Sequence, residues 1–493
     1  MKKILSYFPF LIILAACSSQ PKDFATGADV RIYPDFTDIT IPSNIAPVNF
    51  MIKDSALKYF TILESEDVKV KISGQKVCIP IRKWRQLTSN DRITVTVFEK
   101  SIDGWKKMKP FSIDVSNEID PYLTYRIIPP SFESYQNISI TQRNITSFKE
   151  KKVYSNSMVA SGTTTQCINC HSFKNWRTDN MQFHIRQLLG GTVLFTKGRL
   201  SKLNLKTEKT ISAGVYPSWH PTHDYIAYST NKTFQNIHTI NTNRVEVFDD
   251  ESDLILYNVT DNSISIIEND STELECYPNW TPDGKTLYYV SAHIGNPTQF
   301  KSNGGAVSNL DIRYNLFSKA FEPDTRTWSK KKIVIHADSL QKSITLPRVS
   351  PDGRWLMFAM GNQGVFHIWH KDSELYLMDL NDNSYRCLNE INSPDVESYH
   401  SWSSNGKWVV FSSRREDGFY TRLYLAYMYD NGFFSKPFLL PQKDPEFSNK
   451  FMYSFNIPEF TIEPVKISAK TLASFIKKNE ASPVSFEQKK ENE

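Results

Sequence analysis

The sequence has no long basic run and, after its first twenty residues, no apolar stretch long enough to span a membrane as a helix. Its 58 Lys and Arg residues only slightly outnumber its 53 Asp and Glu residues, and they are spread along the chain. Binding to nucleic acid needs a concentrated basic surface, so no nucleic-acid partner is expected. A transmembrane helix needs about 20 consecutive apolar residues, so none is predicted in the body of the chain.

Two patterns typical of metal sites and hydrolases are also missing. The chain has six cysteines but a single Cys-x-x-Cys pair, whereas a closed zinc site commonly takes its remaining ligands from a second pair. It has no Gly-x-Ser-x-Gly sequence, which carries the nucleophile of α/β hydrolases, and only a short charged segment follows its last repeat. We therefore predict no hydrolase, and we identify no other catalytic constellation.

The N-terminus, "MKKILSYFPFLIILAACSSQ", has the layout of an export signal. Its apolar stretch would span only roughly 18 Å as a helix, against roughly 30 Å for the membrane core. The "LAAC" ending resembles a bacterial lipobox, which implies that residues 1–16 are a removed signal peptide and that Cys17 receives lipid. Several acyl chains on one residue hold a protein firmly at a membrane. We expect residues 17–27 to form a tether, and the protein to be anchored to the outer membrane of the cell envelope, facing the periplasm or the cell surface.

The body of the chain is predicted to be all-β, because aromatic residues make up 13% of it and short alternating runs dominate. Residues 28–120 contain runs such as "VKVKI" and "RITVTVFE" between turn-forming segments, which predicts a β-sandwich-like module. Residues 121–189 are predicted to connect this module to the next domain and to contribute a blade to it.

A four-strand unit repeats from Tyr216 onward. Each copy has an apolar or aromatic start, a tight turn that in most copies contains Asp-Gly or Asn-Gly, and an apolar strand; the copies are "YPSWHPTHDYIAYST", "YPNWTPDGKTLYYVSA", "LPRVSPDGRWLMFAM" and "YHSWSSNGKWVVFSS". Two further strand-like runs follow each hairpin, and four strands per repeat predict a β-propeller. Counting a degenerate copy from Gly190, five blades are visible. A sixth blade is expected from the upstream segments "YLTYRIIPP" and "ISITQRNIT", together with a closing strand in "KFMYSFNIPEF". This closing strand belongs to residues 446–493, and the rest of that segment is predicted to be a charged tail.

The units "PNWTPDGKTLYYVS" and "PRVSPDGRWLMFAM" resemble the repeats of TolB-like propellers over residues 190–445. Together with the lipobox and a Cys-x-x-Cys-His motif, the layout is similar to TolB-like lipoproteins of the Bacteroidetes. The resemblance implies a six-bladed propeller that binds partners, and it implies no particular reaction.

The Cys-x-x-Cys-His motif lies in "TTQCINCHSF", residues 164–173. It predicts covalent haem c, with Cys167 and Cys170 as thioethers and His171 as the proximal iron ligand. Zinc is the alternative, and a local disulfide is a further one. The sixth iron ligand is expected to be Met181 or His184, which would share a face if "MQFHIRQLL" is helical.

Two functions follow from these features. The first is an envelope lipoprotein that uses haem for electron transfer or for sensing redox state or a ligand, with a redox partner docked on the propeller. The second is a non-enzymatic propeller scaffold that binds an envelope protein or a glycan, in which the Cys-x-x-Cys-His site is structural and holds haem or zinc.

Overall fold

The computed structural model describes residues 20–130, 137–159, 166–237, 245–302 and 311–487. The predicted signal peptide and the predicted lipidation site, Cys17, lie outside these ranges. Within the described ranges, no helix combines the length and the apolar character needed to cross a membrane.

The N-terminal module consists of two sheets and one short helix. Its elements are β1 (Ala25–Asp29), β2 (Ile32–Tyr33), β3 (Ile39–Pro42), β4 (Phe50–Ile52), β5 (Lys58–Ser65), β6 (Val68–Ser73), β7 (Lys76–Val77), α1 (Ile81–Leu87), β8 (Arg92–Ser101), β9 (Gly104–Lys109) and β10 (Phe111–Ser116). The first sheet has the strand order β1-β9-β8-β10-β3, and β5 and β6 extend it from β8. The second sheet consists of β2, β4 and β7.

Three strands follow the module, and two blades come after them. The three strands are β11 (Tyr122–Ile128), β12 (Ser139–Asn144) and β13 (Glu150–Ser155). Blade 1 contains β14 (Gln166–Lys174), β15 (Arg177–Gln187), β16 (Gly191–Thr196) and β17 (Arg199–Asn204). Blade 2 contains β18 (Val215–Trp219), β19 (Tyr225–Ile237), β20 (Val245–Asn258) and β21 (Ser263–Glu268).

Blades 3 to 5 repeat this up-and-down pattern. Blade 3 contains β22 (Glu273–Trp280), β23 (Thr286–His293), α2 (Pro297–Ser302), β24 (Asn315–Glu322), and two short outer strands, β25 (Thr327–Trp328) and β26 (Lys332–Ile335). Blade 4 contains β27 (Ser343–Val349), β28 (Trp355–Gly361), β29 (Glu374–Asp379) and β30 (Tyr385–Cys387). Blade 5 contains β31 (Glu397–Trp402), β32 (Trp408–Ser413), β33 (Arg422–Tyr427) and β34 (Phe438–Leu439).

Blade 6 closes the ring with strands from both ends of the propeller. After α3 (Phe447–Lys450), the chain enters β35 (Ser454–Thr461), which pairs with β11 so that the sheet order is β13-β12-β11-β35. β35 is therefore the innermost strand, and the segment 121–189 contributes strands to blades 6 and 1. The two ends of the propeller are thereby hydrogen-bonded into one sheet, which holds the ring closed.

The C-terminal segment continues around the outside of the ring. It contains α4 (Ala469–Lys478), β36 (Ser482–Pro483) and β37 (Ser485–Phe486). β36 adds to the outer strand of blade 1 and β37 to the outer strand of blade 2, both in parallel register.

Apolar clusters fill the spaces between neighbouring blades. Separate clusters lie between blades 1 and 2, 2 and 3, 3 and 4, 4 and 5, and 6 and 1. The cluster that contains Trp408 of blade 5 and Phe455 of blade 6 also contains Trp84 of the N-terminal module. The predicted all-β fold, a β-sandwich-like module followed by a six-bladed propeller, is confirmed.

Candidate functional site

The Cys-x-x-Cys-His motif lies in β14, the innermost strand of blade 1. Cys167 pairs with Arg186 and Asn169 with His184, and the register then shifts so that the next pair is Ser172 with Gln182. Cys170 and His171 are the two residues inside this β-bulge. A bulge leaves its extra residues out of the ladder and turns their side chains in a new direction.

The same bulge occurs in the inner strand of every blade. Its first residue adopts a left-handed conformation each time, with φ of 52° at Cys170, 50° at Tyr216, 52° at Tyr277, 55° at Leu346, 41° at Tyr399 and 47° at Ile457. The second residue is Pro in four blades and His in two, His171 and His400. Left-handed backbone costs a non-Gly residue roughly 1–2 kcal/mol, so six equivalent cases indicate a geometry that the fold imposes.

His171 makes the same contact as its counterpart in blade 5. Nε2 of His400 lies 3.0 Å from the carbonyl oxygen of Met357, in the second strand of the preceding blade. Nε2 of His171 lies 3.4 Å from the carbonyl oxygen of Thr124, which also belongs to the second strand of the preceding blade. Burial lowers the pKa of both imidazoles to about 3, so each is neutral and donates to its carbonyl. Both histidines therefore join one blade to the next.

The bulges close the centre of the channel. Tyr216 and Tyr277 have ring centroids 4.3 Å apart, and the hydroxyls of Tyr216, Tyr277 and Tyr399 interact in a chain. The space left beside Cys170 and His171 is about 30 Å³, which is room for a water molecule. Burial raises the pKa of the Cys170 thiol, so it stays protonated among these phenols.

The motif in this arrangement does not fit a covalent haem. The Cys170 thiol lies in the closed channel, the His171 imidazole points at the carbonyl of Thr124, and Cys167 packs against the cluster between blades 6 and 1. A cavity of about 30 Å³ is an order of magnitude smaller than a pocket for a large ligand. Among the residues that the structure describes, no three His, Cys, Asp or Glu side chains could hold a metal ion together, so zinc does not fit either.

The two candidate sixth ligands lie apart. "MQFHIRQLL" is part of strand β15 and not of a helix, so Met181 and His184, three residues apart, point to opposite faces of the sheet. Met181 is buried in the cluster between blades 6 and 1. Nδ1 of His184 lies 3.1 Å from the hydroxyl of Thr192, and burial lowers the pKa of this imidazole to about 3.

Other polar residues near the hairpins have structural partners. Nε2 of His220 lies 3.0 Å from the carbonyl oxygen of Gly284 in the next blade. Nε2 of His370 lies 2.8 Å from Oε2 of Glu246, and the two side chains are buried together. These contacts hold loops and blades in place.

A larger cavity opens at the hairpin end of the channel, with a volume of about 470 Å³. Two rings of six residues, each ring with one residue per blade, form its inner wall. The first ring directly follows the bulges and contains Ser172, Ser218, Asn279, Arg348, Ser401 and Glu459. The second ring follows the first and contains Phe173, Trp219, Trp280, Val349, Trp402 and Phe460. We call this cavity the channel mouth.

The first ring is tied together by hydrogen bonds between neighbouring blades. Ser172 accepts from Nε1 of Trp219 at 3.0 Å, Ser218 from the amide of Trp280 at 3.2 Å, and Asn279 from the amide of Val349 at 2.9 Å. Nε1 of Trp402 donates to the carbonyl oxygen of Arg348 at 3.1 Å, and the hydroxyl of Ser401 donates to the carbonyl oxygen of Pro458. Most polar side chains of this ring are therefore already used by the fold.

Arg348 and Glu459 are the exceptions in this ring. Their side chains come from blades 4 and 6, and Nη2 of Arg348 lies 3.5 Å from an oxygen of Glu459. Both also line the small cavity beside Cys170, so the pair forms the floor of the channel mouth. Burial raises the pKa of Glu459, and Arg348 opposes this shift.

The sequence reasoning missed the channel mouth, although a signal for it was present. "CHSF" at residues 170–173 matches "YHSW" at 399–402 and "YPSW" at 216–219, so the haem-like motif is a copy of the blade repeat. Aligning residues 170–173 and 457–460 with the four repeat copies would have identified both rings.

No protein-family model and no curated protein sequence matches the chain. Among solved structures, it is similar to a prolyl endopeptidase (10% identity, TM-score 0.36), covering 65% of this chain and 42% of that one. It is also similar to oligogalacturonate lyase in complex with manganese (13% identity, TM-score 0.32; 69% and 87% covered) and to the β-propeller domain of the Trilobed protease from Pyrococcus furiosus (9%, 0.32; 84% and 98%). The chain spans less than half the length of the prolyl endopeptidase. At these scores the similarities carry no argument, and the fold rests on the sheets described above.

Proposed function

We propose that the protein is a non-enzymatic binding scaffold of the cell envelope, tethered through lipid on Cys17, that takes its partner at the channel mouth. The observation that carries the proposal is the cavity of about 470 Å³ at this end of the channel. Ligand sites are typically concave, between about 300 and 1,000 Å³, and lined by aromatic residues with a few polar groups. Tyr216, Tyr277 and Tyr399 close the channel beneath this floor, so the cavity is a blind pocket, which suits binding more than transport.

A photo-crosslinking amino acid tests the site in living cells. Thr222 lines the channel mouth and is exposed, whereas the exposed Asn362 directly follows β28 at the opposite end of blade 4. We expect a crosslinked envelope component from position 222 and none from position 362. Equal products from both positions would contradict the assignment of the binding face. A Cys17→Ser variant tests the tether separately, because it should move the protein from the membrane fraction to the soluble fraction.

The haem function makes a different prediction and has its own test. A covalent haem gives a Soret band that survives acid-acetone extraction of the exported protein, whereas a scaffold in which the motif is only part of the blade repeat gives none. The arrangement of Cys167, Cys170 and His171 supports the scaffold, because His171 has the same role as His400. A retained Soret band would overturn this preference.

A further inference from the structure

We infer that the channel mouth binds a neutral saccharide, and that Arg348 and Glu459 on its floor hydrogen-bond adjacent hydroxyl groups of one sugar ring. This inference rests on the proposed function, because it names the class of partner for the same cavity.

The lining of the cavity combines aromatic rings with uncharged polar groups. Six aromatic residues line it: Phe173, Trp176, Trp219, Trp280, Trp402 and Phe460. Six Ser or Thr hydroxyls and two Asn amides line it as well. A saccharide has apolar C–H faces and a rim of hydroxyls, so it can use both kinds of surface in one pocket. An acyl chain would cover the Arg348–Glu459 pair without supplying either side chain with a hydrogen bond.

The charge of the pocket selects against ionic ligands. Arg348 and Glu459 are the charged side chains of its described lining, and they lie 3.5 Å apart, so their charges cancel. A phosphate or a uronate would have to compete with Glu459 for Arg348. An anion site normally presents donors that are not already paired with a carboxylate.

The pair itself is suited to hydroxyl groups. A sugar hydroxyl both donates and accepts, and a guanidinium next to a carboxylate supplies donors and acceptors side by side. A separation of 3.5 Å is longer than a tight ion pair, so the two groups keep capacity for a ligand. They are also the ring members whose side chains bridge blades 4 and 6 across the channel, whereas Ser172, Ser218 and Ser401 hold adjacent blades together.

The experiment titrates the purified full-length protein with cellotetraose, maltotetraose, xylotetraose and tetra-N-acetylchitotetraose. Calorimetry and intrinsic tryptophan fluorescence report binding, because four tryptophans line the cavity. Tetragalacturonate serves as a charged saccharide, and a tetra-Ala peptide as a non-saccharide probe. We expect saturable binding of at least one neutral tetrasaccharide, with a change in fluorescence.

Charge-removing variants assign the binding to the floor. Arg348→Gln and Glu459→Gln should each weaken the saccharide at least ten-fold, because each removes a charged hydrogen bond. The matched control is Arg386→Gln with Glu390→Gln, an ion pair of similar exposure outside the cavity, 2.7 Å apart, which should leave affinity unchanged. Urea unfolding of each variant shows whether it folds, and Arg348→Gln serves if Glu459→Gln does not.

The outcomes separate the two proposals. No binding of any neutral tetrasaccharide at millimolar concentration, with crosslinking at position 222 intact, overturns the saccharide and leaves the scaffold function standing. Binding that survives both floor variants overturns the role of the pair. Tighter binding of tetragalacturonate or of the peptide overturns the neutral saccharide class. Loss of crosslinking at position 222 overturns the proposed function itself.

Discussion

Replacing His171 with Ala tests whether the haem-like motif belongs to the fold. The structure gives His171 and His400 equivalent positions, each in the bulge of an inner strand and each donating to the second strand of the preceding blade. The hydrogen bond contributes about 1 kcal/mol, and the cavity left by a buried ring adds about 1–3 kcal/mol. We therefore expect His171→Ala and His400→Ala to lower the free energy of unfolding by similar amounts, about 2–4 kcal/mol each.

The longer contact, 3.4 Å at His171 against 3.0 Å at His400, places His171→Ala at the lower end of this range. Urea unfolding followed by tryptophan fluorescence measures both changes, and an absorption spectrum of each exported protein accompanies it. The reasoning is refuted if wild type carries covalent haem and His171→Ala alone abolishes its Soret band. It is also refuted if His171→Ala costs several kcal/mol more than His400→Ala, since equivalent positions should not differ so much.

Three further predictions follow from buried groups. Burial raises the pKa of Glu275 to about 9, and neither of its carboxylate oxygens has a hydrogen-bond partner among the described residues. Its folded form holds a proton that the unfolded chain loses, so stability should fall as pH rises from about 4.5 to 9. Glu275→Gln should flatten that slope in urea unfolding at pH 5, 7 and 9; an unchanged slope would contradict it. Gly284 and Gly295 have φ of 73° and 69°, but a Cβ at Gly284 would meet His220, whereas one at Gly295 would meet no atom within 4 Å in the part of the chain that the structure describes. Gly284→Ala should therefore lower the thermal midpoint of unfolding clearly more than Gly295→Ala. Equal shifts would contradict this, because they would mean that the loop at Gly284 moves to make room for the methyl group. Trp408 is fully buried in the core shared with the N-terminal module, so Trp408→Ala should cost about 3–5 kcal/mol and leave a single unfolding transition. Two separate transitions would show that module and propeller fold independently.

Blades 3 to 5 were predictable because their hairpin turns contain Asp-Gly or Asn-Gly pairs, which are recognisable in the sequence. Gly284, Gly353 and Gly406 adopt positive φ after Asp or Asn, as tight hairpins require. Closure by strands from both ends was also predictable, because "KFMYSFNIPEF" has a strand pattern but follows the last complete blade, whereas "YLTYRIIPP" and "ISITQRNIT" precede the first blade and lack an innermost strand. Blade 1 was recognised only in part, because its first turn uses Asn175 and Trp176 in left-handed conformations without any glycine.

The segment "MQFHIRQLL", which follows the motif, forms a strand and not the helix that the sixth-ligand hypothesis required. Met181, Phe183 and Ile185 are buried in one cluster, while Gln182 and His184 alternate with them. Apolar residues at every second position indicate a strand, and this period was present in the sequence. The sixth-ligand hypothesis used only the three-residue spacing of Met181 and His184, which would place the two side chains on one face of a helix.

Pseudo-symmetry separates structural residues from candidates for function in the propeller. A residue type that recurs at one position of every blade satisfies a need of the repeat, as the bulge and its Pro or His do. Departures from the repeat are informative when the fold does not use them. Cys170 departs from the Tyr, Leu or Ile of the other bulges, but it is buried beside the phenols of the closed channel, where its thiol stays protonated. Arg348 and Glu459 also differ in residue type from the Ser and Asn residues of the first ring. Their side chains contact each other across the channel at the floor of the channel mouth. A search for function in this chain therefore begins at Arg348 and Glu459, and not at the cysteines.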